Sequence, residues 1–345
     1  MIHVNMLSSA TRVKGQGVGS AYTELVRLLR TYLSADITVT ENDWHASTIT
    51  HYHTVDPQFY LSTFDSRRGR RIGYVHFLPE TLEGSLKLPG IIGTTFNKYL
   101  ISFYKRMDRL VVVNPSFISQ LAAYGIPEEK VRYIPNFVAK REFYPVDAAE
   151  KDRLRRQHQL HPGRFTVLGV GQVQERKGVG DFITLAKRHP EIDFVWVGGF
   201  SFGKMTAGYT RLKEVVNNPP VNLIFPGIVD RDKMRKYYNM ADLFLLPSYN
   251  ELFPMSILEA FSCGIPVLVR ELPLYHDIIS GFYAGAADVQ AMDQQIVTLR
   301  DNPERLRALR SQAEAGAQQY SEDRLATVWR DFYKAEAMEG HVTEK

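Results

Sequence analysis

The stretch NELFPMSILEAFSCGIPVLV, residues 250–269, passes from a polar loop to an apolar helical pattern and then to a β-branched run. The ADLFLLPS before it, residues 241–248, reads as a strand that stops at Pro247. Pro254 suits a first helical position, because its φ is fixed and its missing N–H would have no helical partner. The helix continues through MSILEAFSC. Gly264 is placed to cap it in the left-handed region, and Pro266 cannot extend it. Residues 267–269 form the next strand, so the unit is strand, loop, helix, strand. Its helix start presents the amides of Met255 and Ser256, where the helix dipole favours an anion. Glu251 lies in the loop, and Glu259 leans back along the helix toward the same end. Two carboxylates beside a diphosphate site repel it, so they suit neutral hydroxyls: a sugar on one side and a ribose diol on the other. The same spacing also allows two solvated glutamates and a Phe253 that only packs.

Working outward, further short continuous apolar runs occur at 2–6, 71–76, 110–113, 165–170, 193–197, 222–225 and 243–246. Runs of this kind fit parallel strands covered on both faces. Helical patterns lie between them at 18–33, 180–188, 231–239 and 255–263. The expected architecture is doubly wound α/β. The chain of 345 residues exceeds what one core usually holds, so two domains are expected. The polar segment 139–164 reads as their boundary. The resulting domains are 1–140 and 141–320, with a helix in 321–345 that has Leu325, Val328, Trp329, Phe332 and Tyr333 on one face. A content of 44% hydrophobic and 23% charged residues excludes disordered and collagen-like classes. One cysteine, Cys263, excludes an internal disulfide framework and suits a reducing compartment. No apolar run reaches membrane-spanning length, and a net charge of +4 says little about partners.

The pattern Glu251-x7-Glu259, with ELFPMSILEAFSCGIPVL around it, resembles the retaining GT-B glycosyltransferases of family 4. The resemblance extends over nearly the whole chain. It implies two Rossmann-like domains facing each other over a cleft, with the C-terminal helix crossing back to the first. The donor nucleotide sugar would bind to the second domain and the acceptor to the first. No metal is implied as a cofactor, because helix ends and basic side chains neutralise the diphosphate.

Other segments take roles by the same resemblance. In GVGQVQERKGVGDF, residues 169–182, Lys177 matches the phosphate-binding lysine. The family's earlier arginine is Gln172 here, and Arg176 is adjacent to Lys177. VKGQGVGSAYTELVRLL, residues 13–29, carries Gly15, Gly17 and Gly19, which permit close backbone approach to a phosphate. By itself that loop also fits a dinucleotide-dependent oxidoreductase, with Asp36, Glu41 or Asp43 on the ribose. His76 ends a strand, where the family places a histidine near the transferred sugar; a structural histidine fits as well. His51 and His53 of THYHTVDP are acceptor candidates, and with His76 they are conceivable metal ligands. Gly198 and Gly199 follow a strand and suit an approach to the nucleotide, with Ile228 and Val229 near the base. Phe253, Met255, Ser256 and Glu259 complete the donor set.

The segment 78–110 brings Ile91, Ile92, Phe96, Tyr99, Leu100, Phe103 and Tyr104 together with Lys98, Lys105, Arg106 and Arg109. An apolar aromatic face with basic flanks fits a helix lying on an anionic membrane. It fits equally a helix packed on the N-terminal sheet. With the 169–182 motif, it resembles Gram-positive synthases that add a hexose to diacylglycerol or monohexosyl-diacylglycerol, making lipoteichoic-acid anchor lipids. The implied donor is UDP-glucose or UDP-galactose. The partners would be a lipid acceptor and an anionic membrane surface, not nucleic acid. The implied location is the cytoplasmic face of the membrane. The alternatives are a family 4 enzyme with a soluble, polysaccharide or cell-wall acceptor, and a non-catalytic sugar-nucleotide-binding protein.

Overall fold

The computed structural model describes residues 1–12, 17–82, 90–201, 203, 206 and 208–342. Gly15, one of the loop glycines, lies outside them, as do the side chains of Ile91 and Ile92. The described residues form two compact units: 1–82, 90–137 and 322–342 make the first, and the rest of 138–321 the second.

The first unit holds β1 (Ile2–Leu7), β2 (Ile37–Glu41), β3 (Ile49–Tyr52), β4 (Arg70–Val75), β5 (Arg109–Val112) and β6 (Val131–Tyr133). They form one parallel sheet in the order β2-β1-β3-β4-β5-β6. The strands β2, β3 and β6 were not among the apolar-run candidates, although His51 and His53 were read as ending a strand. β2 reads ITVTE and is half-buried or exposed beyond Ile37, and β3 reads ITHY, whose buried His51 counts as polar in any apolar scan. The Glu322–Val342 helix belongs to this unit. Glu336 on it is buried and accepts from Arg70 Nε at 2.9 Å and Arg109 Nε at 2.5 Å. Trp329 and Tyr333 of the same helix are buried as well.

The second unit holds β7 (Thr166–Val170), β8 (Asp193–Val197), β9 (Leu223–Gly227), β10 (Leu243–Leu246), β11 (Val267–Arg270) and β12 (Ala284–Ala286). Its parallel order is β12-β11-β10-β7-β8-β9. Trp196, Phe182 and Phe194 fill its core edge to face. Gly169 makes room for them: a Cβ there would lie 2.4 Å from Trp196. The polar segment 139–164 is not a bare linker. It contains the Ala148–Gln157 helix, capped by Asp147 and tied down by Arg155, which is buried and bonded to Asp242. A buried arginine with a carboxylate partner reads in sequence like a solvated charge, which is why composition alone missed the helix.

In each sheet the chain order reverses once, between β1 and β3 in the first unit and between β7 and β10 in the second. Open α/β sheets bind ligands at the carboxyl ends of strands at such a switch point. In the second unit, the loops leaving β7 and β10 carry residues 171–178 and 247–254. The two glutamate and lysine motifs thus meet by topology, 74 residues apart in the chain.

Candidate functional site

The Met255–Ser262 helix starts one residue later than Pro254, whose extended backbone (ψ 125°) makes it the cap rather than the first helical residue. Gly264 takes the left-handed conformation expected of it, at φ 65°. Gly178 (φ 70°) lies against the neighbouring loop so closely that a Cβ would meet the Pro247 carbonyl oxygen at 2.1 Å. That contact fixes the spacing between the two loops. Lys177 Nζ then reaches Glu251 Oε1 at 2.5 Å, and Arg176 lies 4.0 Å from the other oxygen while donating to the Asn250 carbonyl. Burial pushes the Glu251 carboxyl up, but Lys177 and Arg176 outweigh it and hold it below its ordinary value. Burial lowers Lys177, Glu251 opposes that, and the net is downward. The result is a close buried Lys177–Glu251 pair, with Arg176 as a second basic group beside it. It suits a ligand that brings hydroxyls to the carboxylate and phosphate oxygens to the two cations.

Glu259 is buried and already accepts from Tyr238 Oη at 2.6 Å and Arg231 at 2.7 Å. Neither partner was legible in the sequence motif. A carboxylate has about four lone-pair directions, so it retains capacity for a further hydroxyl. Met255 is buried, while Ser256 and Val229 are half-buried. The Phe253 side chain is buried against Tyr320, ring centroids 5.1 Å apart, so it is a packing residue and not a donor-facing one. Gly198 takes φ 138°, and a Cβ there would lie 1.9 Å from the Gly171 carbonyl oxygen. Its lack of a side chain is demanded by this protein's own backbone. Gly199 differs: its Cβ would press on the flexible Ile228 side chain at 3.0 Å and meet backbone only at an ordinary contact distance, the Ile228 nitrogen at 3.7 Å.

A latch that the motif reading missed holds the glutamate loop. Tyr249 donates its amide to the Arg176 carbonyl at 2.8 Å and its hydroxyl to Asp181 at 2.7 Å. Arg270, at the end of β11, also bonds Asp181, donates to the Pro247 carbonyl and stacks on the Tyr249 ring at 4.0 Å. An arginine closing an apolar strand was the one sequence signal for it. We expect Arg270→Ala to lower turnover about tenfold while leaving UDP affinity within about twofold, because only the loop placement is lost. Arg270→Lys restores little, since an ammonium lacks the planar fork. Steady-state kinetics with UDP binding by calorimetry checks both.

In the first unit, Gly17 opens the Gly17–Tyr32 helix, and Gly19 packs tightly: a Cβ would lie 3.0 Å from the Ala10 carbonyl oxygen. His76 follows β4 directly and is 6% exposed. It stacks on Tyr74 at 4.4 Å and sits 3.4 Å from His53. His51 and His53 are buried too, and His51 Nδ1 pairs with the Tyr333 hydroxyl at 2.7 Å. The expectation that His51 and His53 touch an acceptor is therefore corrected: both are core residues. Among the described residues no group of His, Cys, Asp or Glu is arranged to hold a metal.

This stack carries a pH dependence. Burial pushes His51 and His76 down to about 3 from 6.5, and His53 well below its ordinary value. Between those limits the unfolded chain binds the protons and the native one does not, so stability falls as pH falls from 6.5 toward 3. The melting temperature of the protein should drop over that window, and His53→Phe should flatten the slope.

The basic aromatic helix spans Gly90–Lys105. Phe103 and Tyr104 are 1% and 2% exposed, and the Tyr104 hydroxyl donates to the Phe77 carbonyl. Their expected place on a membrane face is corrected; they pack on the sheet. Phe96 is half-buried, Lys98 and Lys105 are exposed, and Arg106 is bonded to Thr63. No helix among the described residues is long and apolar enough to cross a membrane.

Two family models match the chain: Glycosyltransferase Family 4 over residues 19–141 and Glycosyl transferases group 1 over residues 150–316. A relative from Streptococcus pneumoniae, alpha-galactosylglucosyldiacylglycerol synthase, is 52% identical over 340 residues, covering 98% of this chain and 91% of the relative. The chain belongs to the GT-B glycosyltransferases of family 4. The oxidoreductase alternative left open by the glycine loop is thereby removed. The processive diacylglycerol alpha-glucosyltransferase of Acholeplasma laidlawii is 29% identical over 54% of this chain and 55% of its own. Among solved structures, this glycosyltransferase shares its fold with sucrose-phosphate synthase from Thermosynechococcus elongatus, at TM-score 0.80 and 17% identity over 97% and 99% of the two chains. Anabaena HepE in complex with UDP and glucose gives TM-score 0.78 at 15% identity, over 97% and 100%.

Proposed function

We propose that this glycosyltransferase moves galactose from UDP-galactose to monoglucosyldiacylglycerol at the cytoplasmic membrane surface, with retention of the α configuration. The product serves as an anchor glycolipid for lipoteichoic acid. The observation that carries this reading is the 52% identity, over nearly both full lengths, to a synthase named for the galactosylglucosyl product. The buried Lys177–Glu251 pair with Arg176 beside it supports a sugar-diphosphate donor in the second unit. HepE, a fold neighbour, binds UDP and glucose.

In this mechanism Lys177, Arg176 and the amides at Met255 and Ser256 neutralise the diphosphate as it leaves, without a metal. Glu251 holds donor hexose hydroxyls, and Glu259, oriented by Tyr238 and Arg231, takes the ribose diol. In the first unit His76 is kept neutral by burial, so any contact that it makes with a sugar is by hydrogen bonding rather than charge. Glu251 is ion-paired with Lys177 and so is a poor covalent nucleophile. Front-face transfer follows, in which the leaving phosphate oxygen takes the acceptor proton.

The test is UDP release from UDP-galactose or UDP-glucose, with and without dispersed monoglucosyldiacylglycerol. Release that needs both UDP-galactose and the lipid supports the reading. Release that is indifferent to the lipid, or confined to UDP-glucose, overturns the acceptor or the donor respectively.

A further inference from the structure

Tyr275 lies in the short Pro273–His276 helix after β11 and is fully buried. β11 pairs with β10, whose exit loop carries Glu251, so strand order brings Tyr275 to the glutamate loop. Its ring stands edge-on to Tyr283, centroids 5.9 Å apart. The Tyr283 hydroxyl is spent on Glu271, to which it donates at 2.7 Å. The Tyr275 hydroxyl is not spent: among the described residues it has no hydrogen-bond partner. Burial, and after it the Glu251 carboxylate, pushes this hydroxyl well above its ordinary value, so it keeps its proton at any working pH. Of the charged groups around the phenol oxygen, Glu251 acts on it most strongly, ahead of Arg176 and Glu271.

A buried hydroxyl without a partner costs stability. In the free protein Glu251 leaves it idle because the carboxylate is already served. Lys177 Nζ lies at 2.5 Å, Arg176 at 4.0 Å, and the buried Ser248 hydroxyl approaches the same group. A bound diphosphate changes this. Its oxygens compete for the Lys177 ammonium, and Glu251 is left buried with one donor fewer. A buried carboxylate that loses a donor must find another or lose its charge. The idle phenol proton is the replacement at hand.

We propose that Tyr275 is a positioning residue for Glu251: when the donor diphosphate draws Lys177 away, the Tyr275 hydroxyl donates to the vacated carboxylate oxygen and keeps Glu251 charged and aimed at the hexose. Tyr275 acts on the carboxylate and not on the substrate. The proposal rests on the donor-site reading, and it adds a change of partner that the free protein holds in reserve.

The test compares Tyr275→Phe with the parent, free and with UDP. The free variant should melt within about 1 °C of the parent, since the lost hydroxyl bonds nothing there. UDP should bind it about tenfold more weakly by calorimetry, because the bound state now lacks the replacement donor to a charged group. The acid limb of turnover against pH should move up by about one unit, as a carboxylate with one donor fewer is easier to protonate. Tyr283→Phe, which removes the neighbouring hydroxyl, should leave UDP binding as in the parent. A melting cycle needs neither ligand nor activity. In a Lys177→Ala background Glu251 already relies on Tyr275, so adding Tyr275→Phe should lower the melting temperature by about 5 °C, although alone it does nothing. Parent-like UDP affinity in Tyr275→Phe, or additive melting shifts in the cycle, would overturn the proposal and leave the donor site standing. A parent that binds no UDP would overturn the donor-site reading and the change of partner with it.

Discussion

Glu251→Gln should lower transfer on the order of a thousandfold while UDP still binds as tightly as to the parent, or more tightly. The carboxylate is buried and ionised, so it can accept from two donor hydroxyls at once with full charge. The amide keeps the shape but has one acceptor oxygen, which Lys177, now paired with Glu251 at 2.5 Å, would take, leaving a donor-only NH2 toward the hexose hydroxyls. Lys177, no longer held by a carboxylate, is freer to meet the diphosphate. The loss therefore falls on turnover and not on nucleotide affinity. Lys177→Ala should behave oppositely. It strips the phosphate contact and leaves Glu251 buried beside Arg176 alone, so UDP affinity and stability fall together, the latter by about 3 kcal/mol. Kinetics, calorimetry and thermal melts on the two variants separate these outcomes. Wild-type transfer by either would remove the donor-site assignment.

Gly198→Ala should be among the most destabilising single methyl additions in the second unit. Its φ of 138° is strained for any L side chain, and the new Cβ would lie 1.9 Å from the Gly171 carbonyl oxygen, a backbone atom with no rotamer to yield. About 3 kcal/mol or more is expected, which for a unit of this size is roughly a 10 °C drop in melting temperature. Gly199→Ala is the matched control. Its tight contact is with the Ile228 side chain, which is exposed and can turn away; the nearest backbone atom, the Ile228 nitrogen, is at an ordinary 3.7 Å. It should melt near the parent. If it also binds UDP more weakly, Gly199 and not Gly198 is the glycine that the nucleotide needs.

The residues 250–269 were legible because everything they need is local. Pro254, Gly264 and Pro266 punctuate the chain, and the glutamate spacing survives without knowing any neighbour. The parallel strands with continuous apolar runs were legible for the same reason. What escaped was long-range. That Lys177 neutralises Glu251, that Arg231 and Tyr238 hold Glu259, and that Arg270 latches Tyr249 are facts of strand order, which no window of sequence contains. The helical face read as membrane-seeking was legible as a face, but its partner was not. Phe103 and Tyr104 look alike on a helical wheel whether they meet lipid or a sheet. His51 and His53 misled for a related reason. Polar residues at strand ends suggest a ligand, and here they stack with Tyr74 and His76 and with one another inside the unit.

The central claim is that a hexose passes from UDP to a membrane lipid with its configuration kept. It is tested most directly by incubating the protein with UDP-galactose carrying labelled galactose and liposomes containing monoglucosyldiacylglycerol, then extracting the lipid. The account predicts label in the lipid that an α-galactosidase removes and a β-galactosidase does not. Label absent from the lipid while UDP accumulates, or label released only by the β-specific enzyme, would contradict it.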